Sequence, residues 1–440
     1  MTGLFDGTFA RGGAAGAVSD EGWFRALLAA EGALSRAAAQ VGLVPATAAD
    51  AVTAACAEPS RLDLATVVAK ASDAGNPVPP LVRALQDAVG ERDAVAVHVG
   101  ATSQDILDTA LVVIARNAIS AIDADLVIAS GAAARLAAAH RDDVVMGRTL
   151  MQQALPTTFG LKAAGWLAGL DGARLRLAEV VASLPVQYGG AAGTLAASNG
   201  SGVAVRAAFA AELGLVDSAV PWHTVRLPIA DLAGALGATA GVVATIAVDL
   251  VLMAQTEVAE VSEGGTRGGS SAMPHKHNAV AAISARACAR RAPGHVGTLF
   301  AAMEQEHERA AGAWHSEWPT LTTLLTTVGS AAAWLAESLE VLRPDTARMA
   351  AAVAAARDPE LAGALADTLA ATIGAGPAHD AAAEATREAR ATGRSLREVL
   401  AARGNVDVDA LLPGAPGTGE AGAQVDAALA DHARLTEGTP

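Results

Sequence analysis

Apolar residues first fall into step after Ser19 and Asp20, where Trp23, Leu27, Leu34 and Val41 recur at near-heptad spacing as far as Pro45. That spacing makes one helix face apolar, and the Ser–Asp pair in front of it is a helix-start signal. The stretch AGNPVPP (74–80) interrupts the chain, and a new helical run opens near Thr102 in VHVGATSQDILDTALVVIARNAI. From there to about residue 343 the pattern predicts long helices. The loops between them are expected in DDVVMGRTLMQQALP, YGGAAGTLAASNG and a glycine- and serine-rich stretch at 264–278. Pro344 and Arg357–Asp358–Pro359 open a further helical region, which closes with LLPGAPGTGEAG (411–422) and one short helix. Three regions result: 1–101, 102–343 and 344–440.

Composition sharpens this to an all-α chain. Just over half of the 440 residues are apolar, alanine supplies nearly half of that share, and aromatics are only 3%. Alanine is the strongest helix former, while alternating runs that would signal strands are few. The formal charge of −15 argues against nucleic acid or an anionic membrane surface as partner. Cys56 and Cys288 give neither a disulfide framework nor a metal-ligand spacing. The opening MTGLFDGTFARGG lacks the order of a signal peptide. Residues 232–248 are the best membrane-span candidate, but three glycines and six alanines among 17 residues, flanked by Asp231 and Asp249, fit a buried bundle helix. A cytoplasmic protein is expected.

Against this background GGTRGGSSAMPHKHN (264–278) stands apart. Glycines 264, 265, 268 and 269 allow positive φ and close approach to a ligand. Ser270 and Ser271 supply hydroxyls, and successive free N–H groups form anion-binding concavities. Lys276, one of only three lysines in the chain, adds a compact point charge. Such a set can activate a serine or stabilise an oxyanion; the competing reading is a solvated linker. It is neither a Walker loop nor a dinucleotide fingerprint. In HVGATSQDILDT, residues 102–105 fall at a helix start, suited to a carboxylate or simply to capping. GRTLMQQALPTTFG crowds Arg148, Thr149, Gln152 and Gln153 ahead of Pro156, and alone reads as a polar loop leading into a helix. EQEHERAAGAWHSEW (304–318) holds one Glu304/His307 pair with no second pair, so a metal site is not expected; a charged helix face with two packing tryptophans is.

Taken together, TSQDILDT (102–109), GRTLMQQALP (147–156) and GSSAMPHKHN (269–278) resemble the signature segments of the fumarase/aspartase superfamily. The third fits the superfamily's G-S-S-x-M-P-x-K-x-N core at every fixed position. Within it the chain looks most like the bacterial 3-carboxy-cis,cis-muconate cycloisomerases, on LFDGTFARG, AGNPVPPLV (74–82) and EHERAAGAWHSEW (306–318). Adenylosuccinate lyases would be expected to carry a histidine near Gly75–Asn76 and two more where this chain has Leu150 and Gln153.

The resemblance implies a three-domain helical fold with a long central bundle, a homotetramer with active sites shared between subunits, and no metal or organic cofactor. It implies a tricarboxylate substrate closed to carboxymuconolactone in the protocatechuate branch of the β-ketoadipate pathway. By position it makes Ser270 and Lys276 catalytic. It makes His98, Thr102, Ser103, Gln104, Arg148, Thr149, Gln152, Gln153, Ser271, Met273 and Asn278 substrate-binding. The chain departs from the pattern at Ala279, where proline is usual, at Ile283, where several lyases have glutamate, and at Gln153, where some cycloisomerases have histidine. Glutamine cannot exchange a proton at neutral pH. The alternatives are a fumarate-releasing lyase acting on adenylosuccinate and a non-catalytic structural protein, as some lens crystallins are.

Overall fold

The computed structural model describes residues 3–269, 272–273, 276–404, 407–411 and 416–437. The helix expected after Ser19 runs Asp20–Gln40, and the Ser19 hydroxyl accepts the Gly22 N–H at 3.2 Å. This is the N-cap that satisfies an otherwise orphaned donor. Its Leu27, Leu28 and Leu34 are buried against the helices Ala46–Ala57 and Gly202–Leu213. Gly75 ends the helix Leu64–Ala74 in the left-handed region, and Pro79 and Pro80 lie in the first turn of Val78–Val89, where missing N–H groups cost nothing.

The fold is all-α, as the alanine-rich helical pattern requires. Four helices dominate it: Ser103–Ala139, Phe159–Ala182, Leu227–Met253 and Ala313–Glu340. The chain forms two compact units. The first comprises residues 1–129, 172–248 and 281–337. Its core is made of rows such as Leu321, Leu324, Leu325, Val328 and Leu335, all fully buried, each contributing about 1.5–3 kcal/mol. Arg174 ties two of its helices through Asp123 at 2.7 Å. At Gly329 a Cβ would lie 2.4 Å from that of Ala14, so only glycine lets the short helix Gly13–Ala17 pack there.

The helix spanning the apolar 232–248 stretch is a core helix on one side only. Ile229, Leu232, Leu236, Val243 and Ile246 are buried. Leu227, Asp231, Gly234, Ala238, Gly241 and Thr245 are exposed and form a continuous stripe at alternating four- and three-residue intervals.

The second unit comprises residues 130–171, 249–280 and 338–440. Here the sequence reading is corrected: the segment expected as a polar loop is a β-hairpin, Val144–Thr149 paired with Gln152–Thr158. Its two-residue turn, Leu150–Met151, has φ of 49° and 67°. Tight hairpin turns of this kind normally take Asn or Gly, so the usual turn signal is missing. A second short pairing joins Val261–Glu263 to Leu342–Pro344. The C-terminal helices enclose a small core of Leu361, Leu365, Leu396, Val399 and Leu400. The last helix, Ala421–Glu437, is longer than expected at 17 residues. Arg141 holds its Asp426 through two hydrogen bonds of 2.8 and 2.7 Å, and His432 pairs with Asp171 at 2.8 Å.

Candidate active site

Within the first unit, the start of Ser103–Ala139 is organised by a carboxylate that sequence inspection left unassigned. Asp105 is fully buried and accepts the N–H groups of Thr102, Gly189 and Gly190, each at 2.9 Å. Its fourth partner is His223 Nε2 at 2.7 Å. An aspartate in the first helical turn suits the positive end of the helix dipole. Gly189 is required here, because a Cβ would meet Pro221 at 2.6 Å. Asp105 therefore draws the helix start, the YGGAAG loop and the PWHT segment onto one point.

One turn further on, Asp108 and Glu317 grip the fully buried Arg226. Arg226 donates to Asp108 at 2.8 and 3.0 Å and to Glu317 at 3.0 and 2.6 Å, while its guanidinium carbon lies 4.6 Å from the Trp222 ring centroid. Two carboxylates share one guanidinium, and burial pushes the Glu317 carboxyl above its usual range despite Arg226. Asp108 also accepts from Gln104, Gln187 and the Trp314 indole. Gln104 is buried, and its amide N–H groups serve Asp108 and the His223 carbonyl. Its carbonyl oxygen accepts from Arg309.

Arg309 also donates to the Thr102 hydroxyl at 3.0 Å and to the carbonyls of Ala191 and Gly190 at 3.2 and 3.4 Å. His98 holds a positive φ of 57°. Its Nδ1 lies 2.7 Å from Glu31 Oε1 and its backbone N–H donates to Glu31 Oε2 at 3.1 Å. A carboxylate partner fixes the proton on Nδ1. Burial works against the charged imidazole, but the charge and hydrogen bond of fully buried Glu31 prevail, and the His98 pKa is raised. Ser103 opens the helix and is partly exposed.

The other site residues named from the sequence lie in the second unit. Arg148 makes a two-pronged ion pair with buried Glu260, at 2.9 and 2.6 Å. Thr149, Gln152 and Gln153 are exposed near the hairpin turn. Arg148, Gln153, Lys162, Asp249, Glu260 and Arg348 line a cavity of about 600 Å³.

In the glycine-rich loop, Gly268 and Asn278 form the base. The Gly268 carbonyl accepts both the Asn278 backbone N–H at 2.9 Å and its side-chain N–H at 3.0 Å. Gly268 has φ +90°, and a Cβ there would lie 2.1 Å from the Asn278 carbonyl oxygen. Lys276 and Met273 are exposed, and the Lys276 N–H donates to the Met273 carbonyl at 2.9 Å. Ser270 and Ser271 lie outside the described residues. Ala279 is buried ahead of the helix Val280–Ala289, and Ile283 is exposed on it.

The structure thus gathers His98, Thr102, Ser103 and Gln104 into one cluster. It places Arg148, Thr149, Gln152 and Gln153 on a hairpin and Met273, Lys276 and Asn278 on a loop. The 304–318 segment is corrected: Glu304–Gly312 is not helical, and helix begins only at Ala313. Its charges turn inward through Arg309 and Glu317, although Trp314 and Trp318 do pack edge-to-face, 4.7 Å apart. Glu31, Asp108, His223 and Arg226 were not singled out from the sequence, while Asp105, read as part of a helix start, and Arg309 and Glu317, read as part of a charged helix face, were given no role in a site. The one available signal was a lone charge in an apolar run, as Glu31 is in LLAAEGAL.

With this geometry in hand, known proteins supply the family. Residues 12–294 match a family described as lyase. The chain is 45% identical to a 3-carboxy-cis,cis-muconate cycloisomerase of Bradyrhizobium diazoefficiens, over 89% of this chain and 88% of that one. It is 44% identical to a nitrosuccinate lyase of Streptomyces davaonensis, over 88% and 84%. The crystal structure of the 3-carboxy-cis,cis-muconate lactonizing enzyme from Pseudomonas putida superimposes with a TM-score of 0.88 at 37% identity, covering 98% of this chain and 99% of that one. The helical fold, the three signature segments and these similarities agree: the chain belongs to the lyase family of the fumarase/aspartase superfamily.

Proposed function

We propose that this chain is a 3-carboxy-cis,cis-muconate cycloisomerase of the protocatechuate branch of aromatic catabolism, working in the cytoplasm. The observation that carries the reading is similarity along nearly the whole chain to a solved enzyme of that activity. In the reaction one substrate carboxylate oxygen adds across a conjugated C=C and closes a five-membered lactone. The C–O bond forms as the π electrons move toward a second carboxylate, and a proton then reaches the carbon beside it. The nucleophile is part of the substrate, so a held near-attack geometry supplies much of the rate. The electron-rich intermediate needs preorganised donors, the role given to Lys276 and to the N–H groups of the loop that Gly268 and Asn278 close. Asn278 spends one of its two side-chain N–H groups on the Gly268 carbonyl, which leaves the other to donate to a substrate carboxylate. Ser270 is assigned the proton delivery, and Gln153 can hold a carboxylate but not protonate carbon. His98, whose protonated form Glu31 favours, and Thr102 and Ser103 at the helix start would receive carboxylates.

The chain would act as a homotetramer with sites shared between copies. Support comes from the exposed stripe 227–245, whose spacing is that of a helix-packing seam and whose glycines and alanine let a neighbouring helix approach closely. Gly241→Glu in that stripe would shift the protein to smaller species in sedimentation; an unchanged distribution would remove this support.

A second reading is favoured by one relative, the nitrosuccinate lyase. Elimination of nitrite from 2-nitrosuccinate has the same carbanion-like intermediate run in the opposite sense. Purified protein should be offered 3-carboxy-cis,cis-muconate, 2-nitrosuccinate and adenylosuccinate in parallel. The cycloisomerase reading expects rapid loss of the diene's ultraviolet absorbance and slow turnover of the other two. Nitrite release with the diene untouched would replace it with the lyase reading, and fumarate from adenylosuccinate would reinstate the alternative that Leu150 and Gln153 argue against.

A further inference from the structure

We propose that Arg309 selects the substrate by its third carboxylate, the one that takes no part in ring closure. This deepens the cycloisomerase reading above and rests on it.

Arg309 is the arginine of the candidate site whose charge is unspent. Its four hydrogen bonds go to the Gln104 side-chain carbonyl, the Thr102 hydroxyl and the carbonyls of Gly190 and Ala191. All four acceptors are neutral. Arg226 and Arg148, by contrast, are met by carboxylates, Arg226 by two of them and Arg148 by Glu260. A guanidinium stays protonated at any working pH, so Arg309 presents a full positive charge that no acidic side chain among the described residues neutralises. It is also half-buried, which strengthens its attraction for an anion relative to a fully solvated arginine. Of its five N–H donors, those four bonds leave one, on Nη1, the nitrogen that already reaches Thr102 beside the helix start.

Its fixation decides which carboxylate it suits. During lactonisation the attacking carboxylate loses its charge to the new ester, and the electron-accepting carboxylate gains charge. The third keeps its charge throughout. Four bonds to two separate segments, Thr102–Gln104 and Gly190–Ala191, hold the Arg309 head, so it cannot follow a changing partner. A fixed cation on a constant charge stabilises ground state and transition state alike, an effect that appears in KM rather than kcat. The structure therefore assigns Arg309 to recognition, with Lys276 and the loop left to meet the developing charge.

The test compares 3-carboxy-cis,cis-muconate with cis,cis-muconate, which lacks that carboxylate, on wild type, Arg309→Met and Arg309→Lys. For Arg309→Met the preference in kcat/KM for the tricarboxylate should fall by roughly 10- to 100-fold, the range for losing a charged hydrogen-bonded contact, carried by KM. Arg309→Lys, which keeps the charge and serves should the methionine variant fold poorly, should lose less. Equal losses on both dienes, or a fall confined to kcat, would overturn the assignment with the cycloisomerase reading intact. A wild type that turns over neither diene would overturn both.

Discussion

Replacing Arg226 by methionine should be among the most damaging single changes in the molecule, and for a reason specific to its two partners. The guanidinium makes four charge-assisted hydrogen bonds of 2.6–3.0 Å to Asp108 and Glu317, with all three side chains fully buried. Methionine fills the space but strands two carboxylates without a counter-charge, at a cost of about 3–5 kcal/mol. Glu317→Gln keeps the shape and leaves a balanced Arg226–Asp108 pair, so its cost should be about 1–2 kcal/mol. Urea unfolding followed by tryptophan fluorescence and circular dichroism measures both, provided every variant is compared at one protein concentration. The larger loss also carries a pH signature. Burial already raises the Glu317 carboxyl against the pull of Arg226, and without Arg226 that carboxyl would bind a proton still more readily folded than unfolded. The Arg226→Met deficit should therefore shrink as pH falls from 8 toward 5. A deficit no larger than that of Glu317→Gln, or one flat across that range, would refute the stranded-charge reasoning.

Three further outcomes are expected. Because the folded His98 pKa is raised above 6.5, its contribution is complete below that value and is lost as pH climbs through the folded value. The melting-temperature advantage of wild type over His98→Gln should narrow from pH 6 to 9, and a constant gap would mean the Glu31 pair is uncharged. Gly268→Ala forces a side chain into φ +90° against the Asn278 carbonyl, a strain of about 1–3 kcal/mol. It should lower kcat roughly 10- to 100-fold and take no more than that strain from the unfolding free energy in urea, whereas full activity would deny the loop base a role. Ser270→Ala should reduce kcat by roughly 10²–10⁴, and near-wild-type turnover would remove Ser270 as proton donor.

Local signals account for what was readable beforehand. The Ser19 cap, the break at AGNPVPP and the helix start near Thr102 are each set by neighbours within a few residues, and each appears where the pattern puts it. The hairpin escaped because Leu150–Met151 carries no turn chemistry; 97% of the Leu150 surface is exposed, and nothing in the string GRTLMQQALP distinguishes that tip from a loop. The site was readable as three separate segments, since the identities of Thr102, Gln153 and Lys276 are local facts. What orders the first of them was not. Asp105 meets His223 across 118 residues and Arg309 meets Thr102 across 207, distances over which a single sequence carries no pairing signal. Nor could the residue types foretell that Arg148 would spend its charge on Glu260 while Arg309 kept its own.

Those long separations at Asp105 have a kinetic consequence. Its carboxylate closes chain loops of 84, 85 and 118 residues onto one buried point. The entropy of closing such loops must be lost before the contacts repay it. The helices can consolidate from neighbouring turns, but this convergence has to wait for the bundle to bring its segments together. The candidate carboxylate-binding cluster is thus one of the last features to mature, and a growing chain carries its Thr102–Asp105 motif half-assembled until synthesis has passed Arg309. Asp105 contributes little to the speed of folding and much to how long the finished site persists.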